Sequence, residues 1–219
     1  MDTKKKAFIG IDIQGSRPSC FAAIGDDGNL LESGWFSDPG KQVPILVRKF
    51  NGEYDVSVGI DAPRKPLASP RKWYWDRNKW RLRRPSEKGY GRHCEIVIKA
   101  HGIANPQFTP LESKAPAWMI TGFRVFTSLH DTVPVYEVFP TASYALLQGI
   151  TDVRLYIDFS GCKPGPKDML DAFVAAATVR EFVCGPGTEV GGGDALGKIV
   201  LPRPLRDPVI KGVLFWPED

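Results

Sequence analysis

The sequence lacks the patterns that mark several common classes of site. Its 219 residues include only four cysteines and three histidines, and no two cysteines form a C-x-x-C pair, so a structural zinc site is not expected. There is no Walker-type phosphate loop, no G-x-G-x-x-G turn and no motif typical of Ser/His/Asp catalysis. No apolar run approaches the roughly 20 residues that a membrane-spanning helix needs, so no membrane partner is expected. No export signal is recognisable, and a cytoplasmic location is expected.

What the chain does have is the composition of an ordinary globular domain, with 42% hydrophobic and 25% charged residues. Its length is sufficient for one full hydrophobic core. We therefore expect a single domain over residues 1–219, with an insertion at 64–92 and a C-terminal tail at 185–219. The sequence leaves the oligomeric state open.

Two apolar stretches run into the same three residues, Gly-Ile-Asp. AFIGIDIQG at 7–15 carries Asp12, and VSVGIDAP at 56–63 carries Asp61. Runs so rich in β-branched residues predict buried strands. If these strands are parallel neighbours, both carboxylates lie at the carboxyl edge of the sheet, where open α/β sheets place their sites. A turn-starting role for each aspartate is the alternative.

The order of the predicted elements indicates a mixed sheet. Three strands joined by tight turns predict an antiparallel meander, and a strand–helix–strand crossover then places a fourth strand parallel to the first. The apolar stripe of the predicted third helix, which includes Trp118, is expected to be core. The strands are expected at 7–12, 19–24, 30–36, 56–61 and 133–140, the helices at 43–50, 91–102, 115–130, 142–147 (capped by Thr141) and 167–184, and a terminal hairpin at 199–201 and 212–216.

Positive charge is concentrated in one segment. Residues 64–92 hold 11 of the 29 Lys and Arg residues but two of the 25 acids, which leaves the rest of the chain with 18 basic and 23 acidic residues. The segment shows no apolar periodicity, which predicts a long loop. Basic residues interleaved with aromatics suit phosphate contacts and base stacking, so nucleic acid, either DNA or RNA, is the expected partner. A solvated loop whose tryptophans pack against the protein is the alternative. The candidate contacts are Arg71, Lys72, Trp73, Trp75, Arg77, Lys79, Trp80, Arg81, Arg83, Arg84 and Arg92.

Further carboxylates occur on other predicted elements. Asp168 and Asp171 share a face in the first turns of the last long helix, where they also complement the helix dipole. Glu137 is embedded in a strand, facing either a site or solvent. Glu95 is either a metal ligand or the partner of Arg92, three residues before it. Hard divalent ions such as Mg²⁺ bind carboxylate oxygens, and two of them can clamp a phosphodiester.

Taken together, these pieces resemble a known family. The matching residues are Gly10-Ile11-Asp12, Gly59-Ile60-Asp61-Ala62-Pro63, Arg92-His93-Cys94-Glu95, Glu137-Val138-Phe139-Pro140 and Asp168-Met169-Leu170-Asp171-Ala172. Over roughly residues 7–205 the chain resembles the domain of unknown function 429 family, whose members are predicted nucleases with a ribonuclease H-like fold. The resemblance implies an α/β fold with a mixed five-stranded sheet, three strands antiparallel and two parallel, flanked by helices.

By the same analogy the chain is a metal-dependent nuclease. Asp12, Asp61 and Asp171 would be catalytic and, with Asp168, would hold Mg²⁺ or Mn²⁺, while Glu95 and Glu137 would lie outside them. Asp12 would bridge two ions. We therefore expect a divalent-metal-dependent phosphodiesterase that acts on nucleic acid with water as the nucleophile.

Two alternatives remain open. One is a non-catalytic nucleic-acid-binding protein on the same fold. The other rests on AFIGIDIQGS and the hairpin that follows it, which are similar to the phosphate-binding hairpin of sugar kinases and actin-like ATPases. Those phosphotransferases need two such domains, and 219 residues are too few for them.

Overall fold

A computed structural model describes residues 4–153, 155, 157, 160 and 165–217. In this part of the chain a seven-stranded mixed sheet has the strand order β3-β2-β1-β4-β7-β9-β8, and a separate two-stranded sheet pairs β5 with β6. The strands are β1 Lys6–Asp12, β2 Ser19–Gly25, β3 Leu30–Phe36, β4 Asp55–Asp61, β5 Trp73–Asp76, β6 Lys79–Leu82, β7 Val135–Glu137, β8 Thr188–Gly191 and β9 Lys198–Leu201. The helices are α1 Pro39–Glu53, α2 His93–Ala100, α3 Ala117–Leu129, α4 Pro140–Leu147, α5 Pro166–Cys184 and α6 Lys211–Leu214, with a short 3-10 helix at Glu112–Lys114.

The predicted α/β class and the first half of the topology are confirmed. β1, β2 and β3 form an antiparallel meander, and β4 lies parallel to β1 after the α1 crossover. Asp38 caps α1, because its carboxylate accepts a hydrogen bond from the backbone of Lys41 and Pro39 occupies the first turn. β7, the predicted fifth strand, is parallel to β4 but spans only three residues.

The expectation of five strands was wrong, because the C-terminal tail completes the sheet. β9 pairs parallel with β7, and β8 pairs antiparallel with β9. The predicted hairpin partner at 212–216 is instead largely helical, in α6. The hairpin between β8 and β9 was missed because its connection, GGDALG at 192–197, carries few apolar residues and β8 is short.

Two local predictions also needed correction. The basic segment is not simply a loop, since β5 and β6 form a hairpin whose turn residues Arg77 and Asn78 have φ of 46° and 74°. Asparagine tolerates this left-handed region, as two-residue hairpin turns require. Thr141 does not cap α4, because Pro140 is already helical and the capping position belongs to Phe139.

The two faces of the sheet are packed differently. Odd-numbered β1 residues such as Ile9 and Ile11 face α1 and α3, whereas even-numbered ones such as Phe8 face α5. Gly10 is on the α5 side, where an added Cβ would overlap the backbone of α5. The small residues of α5 and the glycine therefore bring the helix close to the strand. No helix of the described residues is long and apolar enough to cross a membrane.

Candidate active site

An acidic pocket of about 330 Å³ opens at the carboxyl ends of the central parallel strands. Asp12 at the end of β1, Asp61 at the end of β4 and Glu137 at the end of β7 line it, and Asp171 enters from the first turns of α5. Carboxyl ends of parallel strands are the usual location of sites in open α/β sheets. We call this cavity the acidic pocket.

Asp12 and Asp61 are direct neighbours across β1 and β4. Their Cα atoms are partners in the parallel register, two residues beyond the partners Gly10 and Gly59. Because side chains alternate along a strand, all four positions lie on the face that packs against α5. The repeated Gly-x-Asp therefore has two uses: glycine admits the helix, and aspartate then meets the acids of that helix.

Burial and mutual repulsion make both strand carboxylates hard to ionise. Burial raises the pKa of Asp12 to about 7, with smaller contributions from Asp171 and Asp168 and an opposing hydrogen bond from Gln14 Nε2 to Oδ2 at 2.6 Å. The pKa of Asp61 is also raised well above its ordinary value, first by burial and then by the charges of Asp12 and Asp171. A nearby cation stabilises the ionised form of such carboxylates and lowers their pKa.

The two helix acids have different partners. Asp171 accepts a hydrogen bond from the Tyr144 hydroxyl at 2.6 Å, and the Lys167 ammonium lies 2.5 and 2.6 Å from its two oxygens. Asp168 does not line the acidic pocket; its Oδ1 pairs with Arg17 at 2.9 Å, and its buried Oδ2 has no hydrogen-bond partner among the described residues. Only Asp171 therefore joins the strand acids.

The donor set fits a hard divalent cation in its chemistry. Asp12, Asp61 and Asp171 supply carboxylate oxygens to one cavity, and burial raises the pKa of Asp12 and of Asp61. Within the described ranges, however, no three Asp, Glu, His or Cys side chains are placed as ligands of one ion. Asp171 is hydrogen-bonded to Tyr144 and paired with Lys167.

Glu95 and Glu137 form a buried ion network with Arg92. The Arg92 guanidinium, 1% exposed, lies 2.8 Å from Glu95 Oε1 and 2.7 Å from Glu137 Oε2. Thr109 donates its hydroxyl and backbone N–H to Glu95, and the backbone N–H of Arg64 donates to Glu137 at 2.9 Å. Of the two alternatives for Glu95, the pairing with Arg92 is the one observed.

This network forms one wall of the acidic pocket and is not a surface patch. Arg92 was expected to contact nucleic acid, but its charge is enclosed and neutralised by two carboxylates. Burial raises the pKa of Glu137, and the Arg92 guanidinium opposes that shift. Arg92 thus contributes to the rigidity of the wall.

Two tryptophans of the β5–β6 hairpin, which we call the basic hairpin, pack against the protein. Trp80 makes edge contacts with Trp75 at 5.2 Å and with Trp216 at 5.1 Å, measured between ring centroids, and its indole N–H donates to the Gly212 carbonyl at 3.0 Å. His93 completes this aromatic cluster. The packing alternative therefore describes Trp75 and Trp80 better than base stacking does.

The remaining candidates of the segment divide by exposure. Arg81 is held by Glu87 and Asp76, and the Arg71 guanidinium lies 4.1 Å from the Tyr74 ring centroid. Trp73 is half-buried, and its enclosed indole N–H has no acceptor in the described part of the chain. Among the candidate contacts, the exposed basic side chains are Lys72, Arg77, Lys79, Arg83 and Arg84.

Three pocket neighbours were not anticipated by sequence reasoning. Trp118, expected in the core, is half-buried: it packs against the core and also lines the acidic pocket. Lys167 lies four residues before Asp171, a spacing that could have indicated an ion pair. Tyr144 gave no such signal, because its approach to Asp171 depends on how α4 packs against α5.

Comparison with known proteins does not add an identity. No protein-family model matches the chain, and no curated protein matches it. The resemblance to the domain of unknown function 429 family stays a prediction that rests on the residues quoted for it.

Proposed function

We propose that this protein is a divalent-metal-dependent phosphodiesterase that acts on nucleic acid. The observation that carries the proposal is the pair Asp12 and Asp61, adjacent on parallel strands at the edge of a cavity that Asp171 also lines. Burial and neighbouring acids raise the pKa of both carboxyls, and a bound cation would stabilise their ionised form. Membership of the domain of unknown function 429 family is part of the same proposal.

In this proposal Asp12, Asp61 and Asp171 hold Mg²⁺ or Mn²⁺. The bound metal would supply Lewis acidity and a water of lowered pKa. Tyr144 and Lys167 orient Asp171, and the Lys167 ammonium limits the repulsion among the three acids.

Apolar side chains also line the acidic pocket. Val138 and Phe139 follow β7 into the lining, and Trp118 joins it from α3. The Arg92 network holds the Glu137 carboxylate in place. A phosphodiester would thus enter a cavity lined by both carboxylate and apolar side chains.

The first experiment is a calorimetric titration of Mn²⁺ into metal-free protein. Asp12→Asn keeps the side-chain shape but removes the charge, so it is expected to lose the binding that the wild type shows. Asp131→Asn is the matched control, because Asp131 is 94% exposed and remote from the acidic pocket. Its isotherm should equal that of the wild type.

Cleavage of labelled DNA and RNA oligonucleotides in Mg²⁺ or Mn²⁺ then tests the activity. Asp12→Asn and Asp61→Asn should remove cleavage, and Asp131→Asn should retain it. Retained cleavage by Asp12→Asn would refute the assigned site. Absence of Mn²⁺ binding in the wild type, both alone and with an oligonucleotide, would refute metal dependence.

A non-catalytic nucleic-acid-binding protein is the second candidate. It is favoured by the Lys167 ammonium, which already places a positive charge against Asp171. This candidate predicts oligonucleotide binding that weakens with salt but no metal-dependent cleavage.

A further inference from the structure

A second polar cavity of about 240 Å³ adjoins the acidic pocket. The two cavities share Gln14 and Gly15 in the turn after β1. Arg17 from that turn and Arg124 from α3 line the second cavity. We call it the arginine groove.

One face of α3 connects the two cavities. Trp118 lines the acidic pocket, and Thr121 and Arg124, three and six residues later, line the arginine groove. Gly15 borders the same helix, since a Cβ added there would lie 3.6 Å from the Trp118 Cβ. With a rise of 1.5 Å per residue, Trp118 and Arg124 are separated by about 9 Å along the helix.

The charges of the arginine groove are available to an anion. Arg124 is exposed and makes no ion pair or hydrogen bond with any described residue. Arg17 is 55% exposed and directs only Nη2 to Asp168 and Gln14. One acid also lines the groove, Asp38, but it is paired with Lys41 at 3.0 Å and caps α1.

We propose that the arginine groove binds the phosphate backbone of a single strand whose scissile phosphodiester lies in the acidic pocket. Trp118 is the stacking platform for a base next to that phosphodiester. Trp118 is half-buried, packs against the core and also lines the acidic pocket, and only an unpaired base can stack on an indole ring there. This inference rests on the proposed function and names its substrate class.

The groove also replaces the basic hairpin as the contact closest to the chemistry. The tryptophans Trp75 and Trp80 pack against the protein, and none of the exposed cations of the hairpin lines the acidic pocket. Arg124 lies outside the charge-rich segment, so the charge distribution of the sequence gives no indication of it.

Fluorescence anisotropy with a labelled single-stranded 12-mer in EDTA tests the groove without cleavage. Arg124→Ala is expected to weaken binding about three- to tenfold and to lower the salt slope by about 0.7, the value for one phosphate contact on a single strand. Trp118→Ala is expected to weaken binding at least about fivefold. Arg124→Lys should restore most of the affinity, because a point charge still contacts phosphate.

Arg48→Ala is the matched control, since Arg48 is exposed on α1 and lines neither cavity. Its affinity and salt slope should equal those of the wild type. Three results would each refute the proposed binding at the arginine groove. They are wild-type affinity in Arg124→Ala, equal weakening of binding by Arg48→Ala, and no binding of the 12-mer by the wild type. A duplex bound as tightly as the single strand would overturn its strand preference.

The outcome is separable from that of the proposed function. Arg124→Ala should bind Mn²⁺ as the wild type does, because Arg124 contacts none of the pocket acids. If the wild type cleaves and Arg124→Ala binds the 12-mer with wild-type affinity, the role of the arginine groove is refuted and the phosphodiesterase proposal is not. A wild type that binds the 12-mer through Arg124 but neither binds Mn²⁺ nor cleaves would refute the phosphodiesterase alone.

Discussion

Asp12 lies directly opposite Asp61 at the ends of two parallel strands, and both side chains face α5. Asp12 is buried and Asp61 half-buried, their charges repel each other, and a third acid, Asp171, adds to the repulsion. The arrangement is unfavourable for the stability of the protein by itself. A site that retains such an arrangement is a candidate for cation binding.

The free energy of unfolding should fall as pH rises through the acid range. The folded protein holds a proton on Asp12 up to its pKa of about 7, whereas the unfolded chain releases it near 3.8. Between these values the folded state binds more protons, so stability decreases with pH and levels off above about 7. Asp12→Asn should flatten this decrease and be about 1–3 kcal/mol more stable at pH 8. Urea unfolding at pH 5 to 8, followed by tryptophan fluorescence, measures the free energy of unfolding. Asp131→Asn should show the same pH dependence as the wild type. The same pH dependence in Asp12→Asn would contradict the prediction.

Arg92→Met should destabilise the protein by about 3–5 kcal/mol, because it leaves Glu95 and Glu137 buried without their positive partner. Urea unfolding is the measurement, with Arg48→Ala as the control that stays within about 0.5 kcal/mol. Combining Arg92→Met with Glu95→Gln and Glu137→Gln should recover part of the loss. A triple variant less stable than Arg92→Met would argue against unpaired charge as the cause.

Gly10→Ala should destabilise the fold by about 3 kcal/mol or more, since its Cβ would overlap the carbonyl oxygen of Ala172 and the backbone nitrogen of Ala176. Gly52→Ala in α1 is the matched substitution, as its Cβ would meet nothing within 4 Å. There the change should be neutral or stabilising by up to about 1 kcal/mol. Thermal unfolding of both variants tests the close approach of α5, and similar melting temperatures would disprove it.

Trp80→Ala should lower the free energy of unfolding by about 3 kcal/mol, because Trp80 packs with Trp75 and Trp216 and bonds to Gly212. Trp80→Phe should lose less, since it retains an aromatic ring in the cluster. The measurement is urea unfolding. A fully stable Trp80→Ala variant with weakened oligonucleotide binding would instead support the base-stacking role first expected for this residue.

Several features were predictable because they depend on local sequence. The apolar, β-branched runs of β1 and β4, the tight turns of the meander and the helix before β4 indicated the antiparallel start and the parallel crossover. The repeated Gly-Ile-Asp also predicted that two acids would share an edge, since parallel neighbours in register bring equivalent positions together. The pairing of Arg92 with Glu95 was one of two alternatives for Glu95, and helical spacing indicated it.

Other features depend on contacts between distant parts of the chain. The tail strand β9 pairs with β7 across 62 positions of sequence, from Glu137 to Ile199, and no local pattern specifies that partner. Glu137 reaches Arg92 across 45 positions. The burial of Trp75 and Trp80 depends on the C-terminal segment that covers them, so their sequence context indicated an exposed, charge-rich loop.

By itself, the sequence determined which residues are acidic and where the strands of the first half end, because apolar runs and turn residues are properties of short segments. Only the tertiary structure decided that Asp171 joins Asp12 and Asp61 while Asp168 pairs with Arg17, that Arg92 is enclosed, and that Arg124 stands beside the acidic pocket. These outcomes depend on how helices pack across the sheet, and packing is set by the whole core.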